Sequence, residues 1–182
     1  MRGEATQVFG ALALQQRRDA TLLLPGTHSK WVTVAAGRIT GLATHMTGEA
    51  YALLRQHSIL ARTLPADEPP LDAAAFEAGV LQARQPGGLL HHLFAVRTLA
   101  LFERASPAQN ASRLSGLLIG EELRARHAQA GLPTDQPVLL VGGAALAQRY
   151  AQALALWQVP SQVVDEQASW HGLAALAGTL RG

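Results

Sequence analysis

Between Leu24 and Trp31 the chain places Gly26, Thr27, His28, Ser29 and Lys30 in a row, in a stretch reading TLLLPGTHSKWVTV from Thr21 to Val34. A turn between two strands needs one glycine and a polar neighbour, whereas these five residues bring backbone donors, two hydroxyls, an imidazole and an ammonium. Groups of that kind on one hairpin form a cradle for the β- and γ-phosphates of a nucleotide, because each donates to an oxyanion and Lys30 adds a full charge. The alternative is a polar hairpin with a solvated lysine.

Two other places carry candidate chemistry. Gly142-Gly143 closes the apolar run PVLLV (137–141) immediately before a helical pattern. Glycines at the carboxyl end of a strand let a phosphate-bearing or flat ligand approach the backbone while a helix N-terminus offers free N–H groups, and tight packing would call for the same residues. Glu4, in MRGEATQ, precedes the first helical pattern. A carboxylate there would serve either as a general base toward a hydroxyl attacking a γ-phosphate or as an acid favoured by the helix dipole. No G-x-x-x-x-G-K-[ST] occurs, no G-x-G-x-x-G follows a strand, and G-T-H-S-K is not a G-x-S-x-G nucleophile elbow. The histidines lack H-E-x-x-H or H-x-x-x-H spacing, so no protein-ligated metal is expected.

The elements that must hold these groups follow from periodicity. Residues 6–16 are helical; residues 21–25, 31–35 and 38–45 form a three-stranded meander around the Gly26 and Ala36-Gly37 turns. Thr47 to Leu54 continues as a helix, TLPADEPP (63–70) is a proline-rich connection expected to be flexible, and residues 71–127 form a helical block interrupted at 85–88 and 106–107. Gly116 and Gly120, four apart on a helix, predict close packing of another backbone. The last third reads strand (137–141), helix (144–157), strand (161–164), helix (167–180), which implies parallel pairing with right-handed crossovers. The fold class is therefore α/β with a mixed sheet.

Composition narrows the function. The formal net charge of the 182 residues is +2 and aromatics are 5%, with arginines scattered singly, so a nucleic-acid surface is not expected. No stretch reaches the length of an apolar membrane span, and no signal pattern opens the chain. The absence of cysteine fits a reducing compartment, with cytoplasm the expectation.

LPGTHSKWV, THMTGEAYALLRQHSIL and SGLLIGEEL resemble the 2-dehydro-3-deoxygalactonokinase family, whose members phosphorylate the terminal hydroxyl of 2-dehydro-3-deoxy-D-galactonate with ATP in galactonate and galactose catabolism. That family is similar to the actin-like ATPase sugar kinases, whose two lobes each carry a ribonuclease-H-like βββαβαβα sheet around an interlobe nucleotide. The resemblance implies ATP and Mg²⁺ as cofactors, Gly26, Thr27, His28, Ser29 and Lys30 at the phosphates, and Gly142, Gly143 and Ala144 under the adenosine. It implies Glu4 as catalytic base and Lys30 as the cation offsetting transferred charge. No D-x-G-T string is present, so residues 1–182 look like a C-terminal lobe alone, with a helical insertion over about 63–130 and the N-terminal lobe absent. The partners implied are a small sugar acid, ATP and a second copy in a homodimer, with neither nucleic acid nor membrane. The alternative is a truncated, non-catalytic relative that holds a nucleotide or a partner.

Overall fold

In the structure, a computed structural model that describes residues 3–164, the leucine- and valine-rich runs become one sheet and the alanine-rich runs become helices. The order is α1 (Glu4–Leu14), β1 (Ala20–Leu24), β2 (Ser29–Ala35), β3 (Arg38–His45), α2 (Thr47–His57), a 3-10 helix (Ile59–Thr63), α3 (Ala73–Gln82), α4 (Gly88–Leu101), α5 (Pro107–Ala130), β4 (Val138–Val141), α6 (Ala144–Leu156) and β5 (Ser161–Val164). The closing helix expected over 167–180 lies outside the described residues. The chain divides into two compact units, Met1–His45 with Pro133–Gly182, and Met46–Leu132.

The first unit is built on a sheet of order β3-β2-β1-β4-β5. β1, β2 and β3 pair antiparallel, while β4 runs parallel to both β1 and β5. This mixed sheet is the ribonuclease-H-like arrangement of a meander followed by a parallel crossover. Strand alternation decides which side chains meet which helix. Leu22, Leu24, Val32 and Val34 pack with Val8, Ala11 and Leu12 of α1, joined by Leu139 and Val141. Leu23, Trp31 and Leu140 are buried on the opposite face of their strands. α6 packs along β4 and β5 and buries Ala147, Tyr150, Ala153 and Leu154. The β2–β3 hairpin turns at Ala36 and Gly37, both at positive φ (51° and 75°), and the Ala36 N–H donates to the Asp19 carboxylate at 2.7 Å. Two left-handed residues in a two-residue loop match the twist of the strands they join.

The second unit is helical and starts at Met46, ahead of the block expected from about residue 63, because α2 packs on α5 and on the 3-10 helix. Its core is Leu60, Val96, Leu114, Leu117 and Leu118. Ser106-Pro107, which interrupts the apolar pattern, is the N-cap and first residue of α5. The Ser106 hydroxyl accepts from the Gln109 N–H, and the Gln109 side chain accepts from the Ser106 N–H, a capping box. α3 and α5 cross at glycines. A Cβ on Gly116 would sit 2.1 Å from the Phe76 carbonyl oxygen, and one on Gly79 would sit 2.3 Å from that of Arg113. Gly116 and Gly120 thus mark the close packing that their spacing predicts, with Gly79 as the counterpart on α3.

The connection over 63–70 is anchored, contrary to the expectation of flexibility. The Arg55 guanidinium donates to the carbonyls of Pro65 (3.0 Å), Ala66 (3.3 Å) and Asp67 (2.6 Å) and pairs with the Glu68 carboxylate. The Tyr51 hydroxyl also donates to Glu68 at 3.1 Å. Tyr51 and Arg55 are one helical turn apart on α2, so a single helix face holds the segment.

Candidate active site

The candidate groups of the first unit gather at one end of the sheet because strand direction puts them there. β1 and β4 are parallel, with Leu23 opposite Leu140, so Pro25 and Gly142 both leave the sheet at its carboxyl end. β2 returns from that end, and Lys30 is opposite Leu24 in the β1–β2 ladder. Ligands of open α/β sheets occupy this kind of edge.

Lys30 lies on the α1 side of the sheet, where α1 begins with Glu4. Their charged groups meet, Lys30 Nζ to Glu4 Oε1 at 2.9 Å, and the ammonium also donates to the His28 carbonyl at 3.1 Å. Two of its three N–H donors are thus directed to protein oxygens, and among the described residues the third meets no protein acceptor. Glu4 is the first residue of α1, inside the helix rather than in a loop before it, which also places its charge at the favourable end of the dipole.

The hairpin does not act as one surface. Thr27 and His28 are exposed and Gly26 is half-buried, whereas Ser29 is fully buried. Ser29 pairs with His45 across β2 and β3, and by alternation its side chain leaves the strand on the face opposite Lys30. The structure therefore brings Gly26, Thr27, His28 and Lys30 to the rim and separates the Ser29 hydroxyl from them.

Gly142 and Gly143 also differ. A Cβ on Gly142, whose φ is 157°, would lie 3.4 Å from the Pro25 carbonyl oxygen, an ordinary contact with the end of β1. A Cβ on Gly143 or on Gly26 would meet nothing within 4 Å. Gly143 and Ala144 are exposed, and no side chain caps α6. An uncapped helix start beside an open glycine offers its first N–H groups to an anion.

In the second unit, the Thr47 hydroxyl donates to the Glu122 carboxylate at 2.5 Å, linking the THMTGEA and SGLLIGEEL strings across 75 residues of sequence. Glu122 is 3% exposed, and a buried carboxylate needs such donors to be tolerated. Residue type alone does not single out Glu122; its helical spacing from Leu118 is the available signal, since it places Glu122 on the buried face of α5.

These features can be set against known proteins. A family model described as 2-keto-3-deoxy-galactonokinase matches residues 1–176. The chain belongs to this family. Among the curated galactonokinases, "Probable 2-dehydro-3-deoxygalactonokinase DgoK1" of Rhizobium meliloti (strain 1021) is 37% identical over 180 residues, covering 97% of this chain and 58% of the relative. The 2-dehydro-3-deoxygalactonokinase of Escherichia coli (strain K12) is 37% identical over 153 residues, covering 84% and 50%. A crystal structure from Sinorhizobium meliloti, described as that of a 2-dehydro-3-deoxygalactonokinase-type protein, superposes with a TM-score of 0.90 at 35% identity and covers 99% of this chain and 60% of that one. The chain thus spans between half and three fifths of the length of these galactonokinases. No helix among the described residues is long and apolar enough to cross a membrane.

Proposed function

We propose that this chain forms the nucleotide-binding part of a cytoplasmic sugar-acid kinase that transfers the γ-phosphoryl group of ATP to the 6-hydroxyl of 2-dehydro-3-deoxy-D-galactonate. The observation that carries the reading is the convergence of Lys30, Glu4, the Gly26–His28 rim and the uncapped start of α6 at one sheet end in a member of this family. Phosphoryl transfer asks little covalent chemistry of a protein. It requires positioning and charges that offset those developing on the transferred group.

Each residue has a part in that scheme. Lys30 neutralises charge on the β- and γ-phosphates, the hairpin N–H groups orient them, and Gly143 and Ala144 leave room for the nucleoside. Glu4 accepts a hydrogen bond from the sugar hydroxyl and takes its proton as the bond to phosphorus forms. No group of three or more His, Asp or Glu residues among those described is arranged to hold a metal ion. Mg²⁺ would enter with the nucleotide as Mg-ATP and would supply charge neutralisation across the phosphates. The sugar acid and ATP are the small-molecule partners of this reading.

Mass spectrometry of the 182-residue chain with Mg-ATP and 2-dehydro-3-deoxy-D-galactonate, run beside a fusion that supplies the expected N-terminal lobe, tests it. Phosphorylated sugar acid from the fusion is the expected result, and its absence from both reactions would remove the kinase reading in favour of a nucleotide- or partner-holding relative. Glu4→Gln keeps the size of the side chain and removes its basicity. It should lower kcat in the fusion by about 10²-fold to 10⁴-fold, the usual share of a general base, with KM for ATP little changed. A normal kcat would leave Glu4 with only its helix-terminal role.

A further inference from the structure

Where the 3-10 helix meets the junction of α4 and α5, the helical unit carries an open groove of about 550 Å³, walled in part by Arg62, Glu103, Arg104, Ser106 and Gln109. A groove of that volume holds a small molecule. All of its walls belong to the second unit. Local main-chain bonds fix its rim. The Glu103 N–H donates to the Ala100 carbonyl at 3.1 Å and the Arg104 N–H to that of Leu99 at 2.8 Å. This is a Schellman closure of α4, with Glu103 in the left-handed region at φ 53°. The capping box of Ser106 and Gln109 holds the other end of the same turn.

The charges on this rim are unspent. Arg55 and Arg124 of the same unit each pair with a glutamate, whereas the side chains of Arg62, Arg104 and Glu103 make no ion pair or hydrogen bond among the described residues. Two guanidinium groups against one carboxylate leave the lining with a formal charge of +1. Guanidinium groups take a carboxylate or a phosphate through paired N–H donors, and Glu103 decides between the two. Its carboxylate repels a dianion, yet accepts hydrogen bonds from hydroxyls. Asn110 adds a second observation. It follows Ser106 and Pro107 by one turn of α5 and is wholly buried, and neither atom of its carboxamide has a partner among the described residues. A buried amide in that condition calls for a polar neighbour, and helical side chains lean toward the preceding turn, here the one that lines the groove.

We propose that this groove is a binding site for a small hydroxylated monocarboxylate, with Arg62 and Arg104 on its carboxylate and Glu103 on a hydroxyl, separate from the sheet end that carries Glu4 and Lys30. A monoanion matches the charge of the lining, and hydroxyls give Glu103 a use that a bare carboxylate would not. The inference does not rest on the kinase reading, because none of its residues belongs to the first unit. Its readout is binding without nucleotide, so its failure would leave phosphoryl transfer untouched.

Saturation-transfer NMR on the 182-residue chain tests it, with D-galactonate as the probe and galactitol, acetate and galactose 6-phosphate as comparisons. D-galactonate should bind saturably with a dissociation constant of about 0.1–10 mM, the scale open to a ligand of this size in an open groove. Galactitol lacks the charge and acetate the hydroxyls, so each should bind more weakly. Arg62→Ala and Arg104→Ala should each weaken D-galactonate at least about tenfold. Both side chains are exposed, so thermal melts of these variants should match the parent. Glu103→Gln should shift the preference toward galactose 6-phosphate at least about threefold, because the repelling charge is gone. No saturable binding of D-galactonate would overturn the proposal, as would binding indifferent to both arginine substitutions or galactitol bound equally well. Loss of binding on Lys30→Ala, with the arginine variants unaffected, would place the ligand at the sheet end and overturn it too.

Discussion

Lys30→Ala should weaken Mg-ATP binding to this chain by about 10-fold to 100-fold, the scale of one lost charge-assisted hydrogen bond to phosphate. The ammonium already sits 2.9 Å from Glu4 and 3.1 Å from the His28 carbonyl, so its position at the rim is held before any ligand arrives. Phosphoryl transfer by the fusion with an N-terminal lobe should fall further, by about 10²-fold to 10³-fold, because the charge Lys30 offsets is largest in the transition state. Calorimetric titration with Mg-ATP and initial-rate kinetics read the two effects separately. Unchanged affinity and unchanged turnover would return the hairpin to an ordinary polar turn. Gly26→Ala provides a comparison on the same loop. Its added methyl meets no protein atom within 4 Å, so thermal stability should hold, and a loss of nucleotide affinity would report the ligand's own approach to the backbone.

Gly116→Ala should have the largest effect on stability. A methyl group added there would lie 2.1 Å from the carbonyl oxygen of Phe76 and 3.0 Å from the amide nitrogen of Val80. Both are main-chain atoms of α3, so no side chain can rotate away and the two helices must separate. Overpacking of this kind costs about 3 kcal/mol or more, because separation also opens gaps along the contact. For a chain of this size that corresponds to a fall in Tm of about 6–12 °C. Thermal melts followed by circular dichroism measure it, and a Tm within about 2 °C of the parent, less than 1 kcal/mol on the same scale, would mean that α3 and α5 do not approach as closely as the glycines indicate.

How much of this was legible from the residues depended on the range of the interaction. Alternation and turn residues located the three-stranded meander and the later strand–helix–strand unit, because those signals act over a few neighbours. Gly116 and Gly120 announced a close contact through their spacing, but its other half, Gly79, is a property of the packed pair. The Glu4–Lys30 pair spans 26 positions and exists because α1 lies on the sheet face to which Lys30 points. Ser29 shows the opposite outcome. As part of GTHSK it reads like its neighbours, yet strand alternation directs its hydroxyl inward, since a one-residue step reverses the face. The anchoring of TLPADEPP escaped detection for a related reason: proline and acidic residues suggest a loose linker, while the donors that hold it are on α2.

The ion pair at the sheet end also has a bearing on timing. While Glu4 holds the ammonium of Lys30, its Oε1 is engaged in the ion pair and is not turned to an acceptor hydroxyl. A triphosphate arriving at the hairpin would compete for that ammonium and, as Lys30 turns toward it, release Glu4 Oε1 from the ion pair. In the proposed kinase the acceptor hydroxyl would then be activated only after the donor is in place. The steady-state signature is an ordered addition with nucleotide first, and a sugar acid bound alone would encounter a base still engaged with Lys30.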